Sequence, residues 1–113
     1  LHDELKRGRP HETLVLVERL LRREPDAPDL LFTRGEALRA RSQAGDDDLA
    51  LKALEAAERS GRAPAQTQRA LGEIHRAQGR LEQARTAWRL YLERAPEAPD
   101  AALIRQSLQQ GTP

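Results

Sequence analysis

Apolar residues fall in stretches of helical length, divided by clusters of glycine and proline. The breaks are Gly8 to Pro10, Pro25 to Pro28, Gly45-Asp46, Gly61 to Pro64, Gly79-Arg80 and Pro96 to Pro99. The segments between them run roughly 12–15 residues, an ordinary helix length. The pattern predicts helices over about 1–7 (cut short), 11–23, 29–43, 46–59, 65–78, 81–94 and 99–110. Asp29 and Asp100 each follow a proline and precede an apolar run, as an N-cap does. Asp46, Asp47 and Asp48 stand at the start of the fourth helix. One of them can cap it, and the others favour the positive end of its dipole.

The breaks also repeat. When Gly8, Gly45 and Gly79 are superposed, Thr13, Ala50 and Ala84 coincide, then Val17, Leu54 and Trp88, then Leu20, Ala57 and Tyr91, and last Pro25, Arg62 and Pro96. The second interval is 34 residues and the first 37, as if three residues had been inserted between Gly35 and Gly45. The loop Pro25-Asp26-Ala27-Pro28-Asp29 returns 71 residues later as Pro96-Glu97-Ala98-Pro99-Asp100. A period near 34 is two helices and two turns. A small residue at Ala50 or Ala84 admits a neighbouring helix, and a large one at Leu54 or Trp88 fills space one turn on. Such a pair cannot bury its apolar face alone, so pairs must stack.

These residues resemble the tetratricopeptide repeat (TPR) family. The last copy carries Leu71-Gly72, His75, Gly79, Leu81, Ala84, Trp88, Tyr91 and Pro96 at the family's spacing. The middle copy carries Leu31, Gly35, Leu38, Gly45, Ala50, Leu54 and Ala57. It departs at Arg34, at Arg62 and by its insertion. His75 stands where the family prefers tyrosine and is read as a packed side chain. The resemblance implies an all-α right-handed superhelix of stacked helical hairpins with a C-terminal capping helix. It divides the chain into a partial first repeat (1–27), a repeat with the insertion (28–63), a second repeat (64–97), and a capping helix with its tail (98–113). The final segment suits a cap. Ala101, Leu103, Ile104 and Leu108 are apolar, Arg105, Gln106, Gln109 and Gln110 are polar, and Gly111 stops it.

Composition agrees with helices. Leucine occurs 18 times while valine and isoleucine total 4, and leucine and alanine favour helix where β-branched residues favour strand. Nineteen basic against 18 acidic residues leave a formal charge of +1, which lacks the basic excess of a dedicated nucleic-acid binder. Arginine outnumbers lysine 17 to 2 and asparagine is absent, a bias that suggests a GC-rich bacterial genome. There is no cysteine, so disulfides and thiolate chemistry are excluded and the redox compartment is unreadable. No apolar run approaches the ~20 residues of a membrane span. The compartment stays open between bacterial cytoplasm and cell envelope.

No constellation for catalysis stands out. His2, His11 and His75 have no metal-ligand spacing, Ser42, Ser60 and Ser107 have no nucleophile elbow, and there is no phosphate loop. Asp46 to Asp48 lack the spacing of a calcium loop. No cofactor and no enzyme activity is expected. The resemblance implies instead a protein-interaction scaffold whose first helices line a concave groove. Its face is expected to hold Phe32, Glu36 and Arg39, with Arg69, Glu73 and Arg76 in register 37 residues later. Three guanidiniums against two carboxylates make it mildly basic, and arginine grips carboxylates with paired hydrogen bonds. A peptide or protein partner bearing acidic groups is the expectation. Glu36 with Arg39, and Glu73 with Arg69 and Arg76, also stand at helical neighbour spacing and pair among themselves on the simpler reading.

The family's clamp for chaperone C-terminal tails uses asparagines, and this chain has none, so that ligand is not expected. A second candidate interface is Val15 and Leu16. They align with Lys52 and Ala53, and with Thr86 and Ala87, and widen the apolar arc of the 11–23 helix. That arc calls for a cover, from upstream repeats or a second copy of the chain. A helical-repeat RNA binder is the third reading, opposed by balanced charge and few aromatics for base stacking.

Overall fold

The computed structural model of the chain describes residues 9–109. The expected 1–7 helix, Gly8, His2 and the stop at Gly111 lie outside them. Among the described residues every regular element is a helix. In order they are α1 (Pro10–Arg23), α2 (Pro28–Arg41), α3 (Asp46–Arg59), α4 (Gln66–Ala77), α5 (Leu81–Arg94) and α6 (Ala101–Gln109). They gather into two compact units, α1 to α3 and α4 to α6.

The start of α2 falls one position before the expected one. Pro28 occupies the first turn of α2 and Ala27 its N-cap, with no side-chain cap. Proline suits the first turn because its missing N–H would have had no partner there and its φ is already helical. Asp29 is therefore displaced into the first turn, where it still meets the positive end of the dipole. α3 starts at Asp46 as expected, but its N-cap is Gly45, at φ +84°, and no aspartate side chain caps it. The left-handed backbone at Gly45 needs glycine.

In the first unit α2 packs against both α1 and α3. Ala50, Leu54 and Ala57 of α3 are completely buried, with Ala37 and Leu38 of α2 beside them. The crossing is tight at Gly35, where an added Cβ would lie 2.8 Å from Cγ and Cδ2 of Leu54. Glycine there lets the two backbones approach, and leucine fills the space above it.

The second unit repeats the device with larger parts. Gly72 of α4 lies against the indole of Trp88 on α5, at a separation that leaves no room for a Cβ. Ala84, Ala87, Trp88 and Tyr91 form the buried face of α5, opposite Ala70, Leu71 and Ile74. The α4–α5 turn closes as a Schellman motif. Arg80 N–H donates to the His75 carbonyl (2.8 Å) and Gly79 N–H to that of Arg76 (3.0 Å), with Gly79 at φ +80°. The small-then-large register read from the sequence is thus the packing of each hairpin, with Ala84 and Trp88 both inside.

Candidate functional site

Of the face expected to bind a partner, one residue is withdrawn by packing. Phe32 is only 8% exposed and belongs to the core of the first unit. An aromatic side chain gains more by burial than by display. On the same helix Glu36 and Arg39 are half-buried and joined, Nη1 to Oε1, at 3.3 Å.

The matching stretch of α4 is more heavily wired. Arg69 Nη2 meets Glu73 Oε1 at 3.4 Å, and its Nε donates to Oδ2 of Asp100. The other oxygen of Asp100 accepts from the Tyr91 hydroxyl at 2.6 Å. Asp100 does stand at the N-cap of α6, since its carbonyl accepts from Ile104 N–H. Its carboxylate, however, is spent on α4 and α5 rather than on capping. The Tyr91 hydrogen bond, and after it Arg69, hold its pKa below the usual carboxylate range. Burial and the Asp100 bond push the Tyr91 phenol up. The network ties the start of α6 to both helices of its unit. Arg76, one turn beyond Glu73, is exposed.

A second acidic residue also has a role that its position near a helix start concealed. Asp46 is 2% exposed. Arg41 grips it with two hydrogen bonds, Nε to Oδ2 at 2.9 Å and Nη2 to Oδ1 at 2.8 Å, and Gln43 N–H adds a third at 3.0 Å. The bidentate pair spans the three-residue insertion and fastens the α2–α3 turn. The Arg41 bond lowers the Asp46 pKa from 3.8 to about 2. A carboxyl with a depressed native pKa contributes stability above its unfolded pKa and loses it as pH falls through the folded one. Asp46→Asn should therefore lower the melting temperature at pH 7, with the gap from the parent chain closing between about pH 4 and pH 2. A gap equal at both ends of that range would contradict the assignment.

His75 is half-buried and accepts a hydrogen bond at Nδ1 from Arg80 Nε, 2.9 Å away. It packs at the turn, as expected of a residue in the tyrosine position. An open cleft of about 560 Å³ in the first unit is lined by Glu24, Ala27, Pro28, Asp29, Leu30 and Arg62. Charges of both signs border it, and Arg62 is the residue that replaces the repeat's closing proline.

A family model described as Tetratricopeptide repeat matches residues 39–102, more than half of the chain. The chain belongs to the tetratricopeptide repeat family. No curated protein and no solved structure matches it. Membership makes it a TPR protein of the general protein-interaction class, in a family that is typically non-catalytic. The polar positions of the TPR first helices were legible because they recur at helical spacing. The partnership of Arg69 with Asp100, 31 residues away, had no local signal. For Asp46, the signal available was an arginine five residues upstream across a turn. Among the described residues no helix is long and apolar enough to cross a membrane.

Proposed function

We propose that this TPR chain is a scaffold or adaptor module that binds a protein segment carrying acidic side chains, through the polar face of its first helices. The observation that carries this reading is the difference between equivalent arginines. Arg39 is half-buried beside Glu36, whereas Arg76 in the next repeat is exposed. An exposed guanidinium presents a planar fork to a carboxylate at little desolvation cost. Arg69, Glu73 and Arg76 on α4 make up the proposed surface of the second unit, and Glu36 and Arg39 on α2 are their counterparts in the first, without Phe32. Arg69 acts there as a fixed charge, because Asp100 and Glu73 hold it.

The test is fluorescence-polarisation titration against arrays of acidic and basic peptides. Arg76→Glu should weaken acidic-peptide binding at least about tenfold, the scale of one charge-assisted contact, and added salt should weaken it further. Arg69→Glu is a poorer probe because it also sets a carboxylate against Asp100. Equal binding by the parent chain and Arg76→Glu would reject the surface.

A further inference from the structure

The outward face of α1 exposes apolar residues, two of them at positions that are covered in the later hairpins. Val15 is 60% exposed, and Leu16 and Leu20 are 41% each. In repeat register Leu16 corresponds to Ala53 and Ala87, and Leu20 to Ala57 and Tyr91. All four of those are buried. Leucine at such a position, left in water, is the mark of a face that meets another surface.

Charge on the same face is complementary to a second α1 laid antiparallel. Glu12, Leu16, Arg19 and Arg23 follow one another at steps of four, three and four residues, which is a single stripe along a helix. Glu12, Arg19 and Arg23 are all exposed. The stripe is acidic at its N-terminal end and basic at its C-terminal end. A second α1 laid parallel would set Glu12 on Glu12 and arginine on arginine. Laid antiparallel, it sets Glu12 opposite Arg23 at both ends. That register places Val15 opposite Leu20 and Leu16 opposite the aliphatic stem of Arg19, with the apolar residues in the middle and the ion pairs outside.

We infer that two copies of this chain associate through α1, antiparallel about a two-fold axis. The contact is isologous and closes on itself. End-to-end stacking through α6 is disfavoured, because α6 carries Gln106 at the register position of Gly35 and Gly72, the glycines that let a paired helix approach. A contact of one helix per copy falls below about 1,200 Å², so the dimer is weak and concentration-dependent. The surface is separate from the arginines of the peptide-binding reading, and either can fail alone.

The test is sedimentation equilibrium of the full chain from about 10 to about 500 µM, a range that brackets weak association. The mass should rise from 12.7 kDa toward twice that value. Leu16→Lys should hold it at the monomer with the helical circular dichroism unchanged. Glu12→Arg and Arg23→Glu, each alone, should weaken association at least about tenfold. An equimolar mixture of those two variants should restore it, since each then meets its opposite at both ends of the contact. A monomer throughout the range would overturn the proposal, and so would a dimer that neither single charge reversal weakens.

Discussion

Trp88→Ala is expected to cost about 3–5 kcal/mol of unfolding free energy, the range for emptying a large buried aromatic site. Trp88 is 9% exposed and is the largest side chain in its unit. Alanine would leave a void between α4 and α5 that the backbones cannot close, since Gly72 has no side chain to offer. A domain of this kind has about 5–10 kcal/mol in total, so this single change should bring much of the chain near its unfolding midpoint. Trp88→Phe should cost far less. The indole N–H is buried without a hydrogen-bond partner, so phenylalanine gives up volume but also removes an unpaired donor. Urea titrations followed by circular dichroism would measure both. Equal losses for the two variants would mean that the indole, rather than the space it fills, is what matters.

The second large effect is a change of sign at Gly72. In the parent chain Gly72→Ala should destabilise by about 1–3 kcal/mol, as overpacking does, because the new methyl meets a rigid ring rather than a pliable chain end. In a Trp88→Leu background the same change should stabilise, by up to about 1 kcal/mol. There the methyl fills vacated space, and alanine is the better helix former. The coupling between the two sites is the measured quantity, and the denaturant midpoints of the two singles and the double yield it. Additive effects would show that Gly72 and Trp88 do not share the contact described. The same argument applies to Gly35 and Leu54 in the first unit, with a softer partner and a smaller effect.

The features that could be read without coordinates share one property. Each is set by residues within a few turns of one another, or by a pattern that recurs. The glycine turns, the alanines at Ala50 and Ala84, and the bulky residues at Leu54 and Trp88 declare themselves by spacing, because a hairpin of fixed length must bring the same positions together each time. The Glu36–Arg39 and Arg69–Glu73 pairs are also local, since residues three or four apart are neighbours on any helix.

The acidic residues near helix starts followed a different rule. Asp29, Asp46 and Asp100 look alike in the sequence, each near the start of a helix. One lies in a first turn behind a proline, one is buried in the grip of Arg41, and one bridges Tyr91 and Arg69. Their environments depend on which side chains the folded hairpins bring within reach, and that has no periodic trace.

The sequence alone thus determined the helices, their pairing into hairpins and the family. The tertiary structure decided that Phe32 is core, that Asp100 holds Arg69, and that Leu16 and Leu20 remain exposed where their counterparts are covered. The reason is that periodicity encodes contacts between residues at constant separation. Burial and ion-pair choice depend instead on the particular volumes and charges that meet at each site.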